Sequence, residues 1–210
     1  EITGPDGYNE TVSGKQLDAS GSYTIDNLPV GDYTVTETVA GSTGYTLTTK
    51  YKVGSGSKVD GKTATAAVTD GATSNVEFIN NYAENPGSLK LTKTVTGDRS
   101  FADVKATISF EITGPNGYSE TVSGKQLDAS GSYTIDNLAK GTYTVKETTT
   151  GPNGYTATTT YTVDGGSKET GATATAAVPN GGTAEVAFTN DYKKQVGSLK
   201  LTKTVTGDKT

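Results

Sequence analysis

The 210-residue sequence contains no cysteine, histidine, methionine or tryptophan. Without cysteine there is no disulfide bond and no thiolate metal site, and without histidine the commonest general base and metal ligand are missing. The formal net charge of −5 offers no basic surface to nucleic acid or to an anionic membrane. No run approaches the ~20 apolar residues that a membrane-spanning helix needs. We therefore expect no cofactor, no bound metal, no nucleic-acid partner and no insertion into a membrane.

Large apolar side chains are also scarce, since hydrophobic residues make up only 31% of the chain. Those present alternate with Thr, Ser and Lys, in stretches that are rich in Thr, Val and Tyr. This alternation is typical of β-strands, and together with the small net charge it argues against disorder. The hydrophobic core should be thin, so an additional stabilising cross-link would be useful.

The sequence repeats itself with a period of 110 residues. Residues 1–100 and 111–210 are identical at roughly two-thirds of their aligned positions. A repeat of this length has the size of a domain and is too long for a solenoid repeat. The chain is therefore expected to be an array of domains.

The register of the repeat predicts where each domain begins and ends. A complete unit is expected at 84–193, and residues 1–83 then form a unit that lacks its first strand. Residues 194–210 would be the first strand of a following unit, because 198–208 repeats 88–98 without change. No signal peptide is recognisable, so we expect a mature or excised segment of a longer array.

Eight short strands are expected in the complete unit, separated by Gly, Pro and Asn turn signals. They lie near 88–96, 105–113, 119–123, 131–136, 142–148, 154–163, 172–178 and 184–192. No segment shows a convincing helical period. Many short strands at this spacing predict an all-β fold of tandem Ig-like β-sandwiches.

Three of these strands carry a polar residue on a face that is otherwise apolar. The residues are Lys93, Glu147 and Asn190, and side-chain alternation places each on the side of its strand that carries Leu, Val, Tyr or Phe. The incomplete first unit repeats two of the three, as Glu37 and Asn80. Because an unpaired polar group is costly to bury, we expect these residues to be partners of one another.

Lysine, carboxyl and amide groups held together in an apolar interior form a reactive set. Burial disfavours the charged amine, so the lysine can become a neutral nucleophile, and a buried carboxyl group can carry protons. Attack on the amide carbon would join Lys93 to Asn190 and expel ammonia. The alternative is a buried Lys–Glu ion pair with the Asn hydrogen-bonded beside it, an arrangement that often adds little stability.

Two segments are similar to the signature of the collagen-adhesin B-type (CnaB) repeats. They read LAKGTYTVKET at 138–148 and LPVGDYTVTET at 28–38. The first strand LKLTKTVTG at 89–97 and the last strand FTN at 188–190 also resemble the versions found in major pilins. Repeats of this family build the stalks and pilin shafts of Gram-positive surface proteins.

The resemblance implies roles for individual residues. In the family, a first-strand lysine bonds to a last-strand Asn or Asp, and the Glu of the middle motif catalyses the reaction. Carried over, Lys93 and Asn190 form the isopeptide bond and Glu147 is catalytic. Glu37 and Asn80 take the corresponding places in the first unit.

The identity of the reacting lysine has one alternative. Some family members carry the reactive lysine earlier in the strand, at the position of Lys90. Strand alternation favours Lys93, which shares a face with Leu91, whereas Lys90 shares a face with Thr92.

The predicted function is structural. We expect a stalk or shaft repeat of a bacterial surface adhesin or pilus-like fibre, outside the cell on a cell-wall-anchored protein, and no enzyme activity on an external substrate. Adjacent repeats or other copies of the chain are the expected partners. The alternative is an adhesin module that binds a host matrix protein or glycan through its loops, although the absence of Trp, a common binding hot spot, opposes it.

The C-terminal segment offers the strand that the first unit lacks. Residues 198–208 carry Lys203 at the position that Lys93 holds in the complete unit. We hypothesise head-to-tail association, with Lys203 of one chain beside Glu37 and Asn80 of the next. The alternative is a simple cut, with both partial units belonging to flanking repeats of one longer chain.

Overall fold

The computed structural model describes residues 1–208. The chain divides into two compact units, Glu1–Asn85 and Pro86–Thr210, which we call the first and the second unit. In both, alternating stretches form strands because every second side chain can face a core while the Thr, Ser and Lys between them stay in water.

The first unit consists of two antiparallel sheets. Its strands are β1 (Ile2–Thr3), β2 (Asn9–Glu10), β3 (Gly31–Thr36), β4 (Tyr45–Val53), β5 (Val59–Asp60), β6 (Thr63–Val68) and β7 (Val76–Glu84). One sheet has the strand order β2-β1-β3-β6, and the other has the order β5-β4-β7.

The second unit has the same plan with a larger second sheet. Its strands are β8 (Gly87–Gly97), β9 (Ile108–Thr113), β10 (Ser119–Ser123), β11 (Ser132–Leu138), β12 (Gly141–Thr149), β13 (Tyr155–Val163), β14 (Glu169–Thr170), β15 (Thr173–Val178) and β16 (Thr183–Lys194). The two sheets have the orders β10-β9-β12-β15 and β11-β8-β16-β13-β14. The prediction of an all-β fold of tandem Ig-like sandwiches is confirmed.

One predicted strand begins later than expected. The strand expected at 105–113 starts at Ile108, because a short helix, α1 (Phe101–Val104), and a 3-10 turn at Lys105–Thr107 precede it. The side chain of Asp103 accepts hydrogen bonds from the backbone N–H and the hydroxyl of Ser100, at 2.9 and 2.8 Å, and this cap starts the helix. The two-residue edge strand β14 was not predicted.

The core of the second unit lies between its two sheets. Phe110 of β9 and Phe188 of β16 come from opposite sheets, and their ring centroids lie 5.6 Å apart. Leu89, Leu91, Ile112, Val122, Val145, Val186 and Tyr192 have no exposed surface. This core surrounds the side chains that the alternation pattern singled out.

The first and last strands of the second unit, β8 and β16, are parallel neighbours. Their register runs from Ser88 opposite Thr183 to Gly97 opposite Tyr192. The other strand pairs among residues 1–208 are antiparallel. The chain therefore begins and completes this unit with two adjacent strands that point the same way.

The last strand of the first unit, β7, has a free edge. It pairs with β4, and no strand of the described chain lies on its other side. Residues 22–28 have the same sequence as β11, SYTIDNL, yet they form no strand. Since β11 is held by pairing with β8, this sequence forms a strand in the unit where that neighbour is described.

Residues 195–208 form neither helix nor strand. Val196, Leu199 and Leu201 of this segment are 90%, 85% and 85% exposed. Assigning the segment to the first strand of a following unit stays a prediction. Within residues 1–208, no helix has the length and apolar character that crossing a bilayer requires.

Candidate functional site

Three strands of the second unit bring Lys93, Glu147 and Asn190 together. Lys93 lies on β8 and Asn190 on the adjacent β16, while Glu147 lies on β12 in the facing sheet. In the parallel register Lys93 is opposite Phe188, so Asn190 is its diagonal neighbour on the same face. Diagonal neighbours are within reach of a long side chain. We call these three residues the buried triad.

The triad is enclosed in the apolar core. Lys93, Glu147 and Asn190 are 2%, 4% and 0% exposed. On the strands, Glu147 pairs with Phe110 and Lys93 with Phe188, so aromatic residues flank both charged positions. Water cannot solvate charges in such a place, and each polar atom has to find its partner within the protein.

Glu147 bridges the other two members. The Lys93 Nζ lies 3.0 Å from each carboxylate oxygen of Glu147. The Asn190 Nδ2 donates a hydrogen bond of 2.6 Å to the Oε1 of Glu147. A single carboxylate therefore holds the amine and the amide side by side.

The amide oxygen of Asn190 is the unsatisfied atom of the triad. It is buried and accepts no hydrogen bond from the described part of the chain. A buried acceptor left in this state costs about 1–3 kcal/mol. Buried polar atoms without a hydrogen-bond partner are uncommon in native proteins. A catalytic role is one explanation for such an atom.

Burial lowers the pKa of Lys93 to about 8, and the nearby Glu147 carboxylate offsets only part of this effect. An ordinary lysine has a pKa of ~10.4. The neutral amine, which is the nucleophilic form, is therefore much more accessible here than at the protein surface.

Lys90, the alternative lysine, lies in a different environment. Its side chain is 42% exposed and forms an ion pair of 3.0 Å with Glu185. It is on the opposite face of β8 from Lys93, as alternation requires. The structure thus separates the two candidate lysines clearly and places only Lys93 beside Glu147.

Gly131 positions the strand that carries Lys93, a role that sequence reasoning missed. The backbone N–H of Lys93 donates to the carbonyl of Gly131 at 2.8 Å. A Cβ at Gly131 would lie 2.4 Å from the carbonyl oxygen of Lys93, and its φ of +78° favours glycine. The sequence marked Gly131 only as part of a turn, and nothing local indicated what approaches it.

The first unit holds an incomplete version of the triad. The Asn80 Nδ2 donates to the Oε1 of Glu37 at 2.8 Å, and the hydroxyl of Thr49 donates to the Oδ1 of Asn80, also at 2.8 Å. The Oε2 of Glu37 is buried and has no hydrogen-bond partner among residues 1–208. The equivalent oxygen of Glu147 accepts from Lys93. Sequence reasoning did not single out Thr49, because one Thr on a Thr-rich strand carries no distinguishing signal.

Lys203 is exposed in the segment 195–208. Its predicted place beside Glu37 and Asn80 involves two copies of the chain and stays a prediction. As for metals, no group of three or more Asp, Glu, His or Cys side chains within residues 1–208 is arranged to hold an ion.

Comparison with characterised proteins finds a staphylococcal relative. The bone sialoprotein-binding protein of Staphylococcus aureus is 28% identical to the chain over 156 residues. The match covers 69% of the present chain and 13% of that protein. The chain therefore corresponds to a small part of this relative's length.

Among solved structures, the chain is similar to streptococcal pilins. A major pilin of Streptococcus pyogenes aligns with 83% of this chain and 71% of its own, at 18% identity and a TM-score of 0.39. The pilus 2b backbone protein of group B streptococcus aligns with 80% of this chain and 94% of its own, at 14% identity and a TM-score of 0.31. Similarity at this level carries no information on binding or assembly.

A family model matches both units. It covers residues 3–83 and 89–193, which is most of the chain and includes Glu37, Asn80 and the whole buried triad. The chain therefore belongs to the family described as "Domain of unknown function (DUF5979)", with one copy in each unit.

Proposed function

We propose that Lys93 and Asn190 join in an autocatalytic isopeptide bond, and that the bonded unit serves as a structural repeat of a bacterial surface fibre. One observation carries the proposal. An amine at 3.0 Å and an amide at 2.6 Å contact the oxygens of one buried carboxylate, that of Glu147. A buried ion pair alone would explain Lys93 and Glu147, but not an amide with an orphaned oxygen beside them.

The proposed reaction needs only the three side chains of the triad. Glu147 accepts a proton from the Lys93 ammonium, and the neutral Nζ attacks the Cγ of Asn190. As the new C–N bond forms, Glu147 carries a proton from the attacking nitrogen to the Nδ2. The bond between Cγ and Nδ2 then breaks, and ammonia leaves. Each chain reacts once, so the process is a maturation step and not turnover of an external substrate.

The bond would tie the first strand of the unit to the last. It closes a loop of about 100 residues between Lys93 and Asn190. The chain-entropy model developed for disulfides assigns a loop of this length about 4–5 kcal/mol of stability. That is comparable with the whole stability of a marginal domain, so it would offset a thin apolar core.

The setting we propose is the Gram-positive cell surface, on a cell-wall-anchored adhesin or pilus-like protein. The CnaB-like motifs at 28–38 and 138–148 and the tandem sandwiches support this setting. Similarity to the bone sialoprotein-binding protein of Staphylococcus aureus, a Gram-positive bacterium, is compatible with it. Partners of the repeat would be adjacent repeats and other copies of the chain.

Intact mass is the experiment that tests the bond. Each isopeptide bond removes one ammonia, about 17 Da. We expect the unfolded wild-type chain to weigh about 17 Da less than its sequence mass, whereas the Asn190→Ala variant should show its full mass. A wild-type chain at full sequence mass would refute the proposed bond.

Host binding is the second candidate function. The observation in its favour is 28% identity to a protein whose name states that it binds bone sialoprotein. The chain corresponds to only 13% of that protein, so the ligand-binding part of the relative need not be the part that matches. Retention of the chain on immobilised host matrix proteins, with the Asn190→Ala variant retained equally well, would favour binding over a purely structural role.

A further inference from the structure

We infer that the hydroxyl of Thr159 is the oxyanion donor of the proposed reaction, which hydrogen-bonds to the side-chain oxygen of Asn190 while Lys93 attacks the adjoining carbon. The inference rests on the proposed function and deepens it. The buried triad supplies a nucleophile, a proton carrier and an amide, and these three balance the reaction on their own. Thr159 adds a group that receives the charge on the amide oxygen and so lowers the barrier.

The amide oxygen of Asn190 needs a hydrogen-bond donor during the attack. As the Nζ of Lys93 bonds to the Cγ, the electron pair of the C=O bond moves onto the Oδ1, which becomes negatively charged. Fixed donors aimed at such an oxygen are usually among the largest contributions to the rate of acyl transfer. Asn190 has no exposed surface, so the donor has to come from the protein and not from bulk water.

Glu147 does not fill this role in the geometry of the triad. The Oε1 of Glu147 accepts a hydrogen bond from the Asn190 Nδ2 at 2.6 Å, which fixes the nitrogen arm of the amide toward the carboxylate. The oxygen arm lies on the other side of the Cγ and has no hydrogen-bond partner within residues 1–208. An ionised carboxylate is also an acceptor only. A separate donor is therefore required at the Oδ1.

Thr159 is the residue directly opposite Asn190 in the neighbouring strand. The register of β13 with β16 pairs the two, and the Cβ atoms of such a pair lie about 4.5–5.5 Å apart. Thr159 has the parity of Tyr161, whose ring centroid lies 5.8 Å from that of Phe188 in the core. The half-buried side chain of Thr159 is therefore on the same side of the sheet as the triad.

The first unit shows that this pair of residue types can form the hydrogen bond. Thr49 and Asn80 are directly opposite each other on β4 and β7, which are paired along their whole length. The hydroxyl of Thr49 donates to the Oδ1 of Asn80 at 2.8 Å, while the Nδ2 of Asn80 donates to Glu37 at 2.8 Å. A threonine and a glutamate thus hold the two arms of one amide.

The backbone around the two threonines is the same. The carbonyl of Thr49 accepts from the N–H of Gly61 at 3.1 Å, and the carbonyl of Thr159 accepts from the N–H of Gly171 at 3.0 Å. The two units therefore differ here in the side-chain contact and not in the strand that carries it. Rotation of the Thr159 side chain between staggered rotamers would bring its hydroxyl to the Asn190 oxygen without a change in the backbone.

Two other hydroxyls on this face have different partners. The hydroxyl of Tyr192 lies 3.5 Å from that of Thr149, which belongs to the facing sheet. The hydroxyl of Tyr161 donates to Glu169 at 2.7 Å. Neither is directed at Asn190, which leaves Thr159 as the better placed donor.

Two substitutions in the full chain separate the hydroxyl of Thr159 from its shape. Thr159→Val keeps the branched shape and loses the donor, whereas Thr159→Ser keeps the donor and loses a methyl group. The loss of about 17 Da after cell-free synthesis, in samples unfolded at successive times, gives the rate of bond formation. We expect Thr159→Val to react about 10²–10³-fold more slowly than the wild type, as for removal of one oxyanion donor, and Thr159→Ser to react at nearly the wild-type rate.

The conditions and controls separate chemistry from folding. At about pH 6, well below the pKa of about 8 of Lys93, little of the amine is neutral, so the chemical step is slow enough to follow. Thr158→Val makes the same substitution at an exposed position of β13 opposite Asp191, and should react at the wild-type rate. In an unreactive Asn190→Ala chain, Thr159→Val should leave the midpoint of urea unfolding unchanged.

The outcomes distinguish this inference from the proposed function. A Thr159→Val chain that loses ammonia at the wild-type rate would overturn the role of Thr159 and leave the Lys93–Asn190 bond standing. Fast reaction of Thr159→Val with slow reaction of Thr159→Ser would assign the effect to packing and would overturn it as well. A wild-type chain that keeps its full mass would refute the bond itself, and the role of Thr159 with it.

Discussion

At the scale of single residues, Lys93 and Lys90 show how strongly position determines the chemistry of one side chain. Lys93 has a fully buried side chain and contacts both oxygens of Glu147, while Lys90 is 42% exposed beside Glu185. A surface ion pair of the second kind contributes about 0–1 kcal/mol. Only the buried amine has the environment of a nucleophile.

This difference predicts which lysine carries the bond. Trypsin does not cleave after an acylated lysine, so the bonded chain should yield a branched peptide that joins 91–99 to 169–193. We expect the Lys90→Ala variant to keep the loss of about 17 Da, and Lys93→Ala and Glu147→Ala to show their full masses. If Lys90→Ala shows its full mass and Lys93→Ala does not, the bond is formed by Lys90 and the assignment of Lys93 from strand alternation is wrong.

The lowered pKa of Lys93 predicts a pH dependence in an unreacted chain. In an Asn190→Leu variant, Lys93 remains a free amine beside Glu147 with a pKa of about 8 when folded, against ~10.4 when unfolded. Between these values the unfolded state binds the proton more tightly, so the free energy of unfolding should rise with pH from about 8 to ~10.4 and stay flat below.

The matched control is the bonded wild type, in which Lys93 has no amine to titrate. Urea unfolding of both chains at several pH values should show the stability difference between them narrowing above pH ~8. Groups outside the triad cancel in this comparison. A constant difference across the range would mean that the pKa of Lys93 is not lowered by burial.

The sequence was sufficient to identify the triad because strand alternation is a local rule. Lys93, Glu147 and Asn190 each stand at the parity of their apolar neighbours, and no knowledge of pairing is needed to see this. The shared carboxylate, the orphaned amide oxygen and the contact at Gly131 depend on which strands meet across the sandwich. Sequence alone could not provide them.

At the scale of elements, the proposed bond would stabilise the second unit mainly by fixing β8 beside β16. Removing it with Asn190→Ala should lower the stability of the second unit by at least the ~4–5 kcal/mol expected for the closed loop, because the substitution also leaves a cavity in the core. Calorimetry and trypsin digestion at raised temperature should both detect this. The matched control is Asn80→Ala, which makes the same substitution at an amide that contacts Glu37 and Thr49 but no lysine among residues 1–208. Equal losses from the two variants would contradict a bond in the second unit.

The two copies of SYTIDNL show that local sequence alone does not determine whether a segment forms a strand. At 132–138 this segment is strand β11, and at 22–28 it is not a strand, although the residues are the same. The difference lies in the partner strand β8, since strand formation depends on cross-strand neighbours more than on intrinsic preference. The start of β9 at Ile108 was mispredicted for a local reason, because the Ser100–Asp103 cap was overlooked.

At the scale of the whole molecule, the parallel pairing of β8 and β16 determines how the second unit responds to tension. A pull on Gly87 and Lys194 drives two parallel neighbours past each other in shear, and most of the unit lies in the chain between them. An amide between Lys93 and Asn190 would carry that tension directly. Residues 94–189, which would span on the order of 300 Å as an extended chain, would then bear no tension.

Force spectroscopy of the full chain should therefore show no extension step of this size from the second unit, whereas the Asn190→Ala variant should gain one. An extension step of the same length in the wild type would show that the tension does not pass through a Lys93–Asn190 bond. The bonded unit would then be a link of fixed length, because the path that carries the load runs from Gly87 along β8 to Lys93, across the amide to Asn190, and along β16 to Lys194. Its resistance to stretching would be that of covalent bonds and would not depend on how stable the sandwich is.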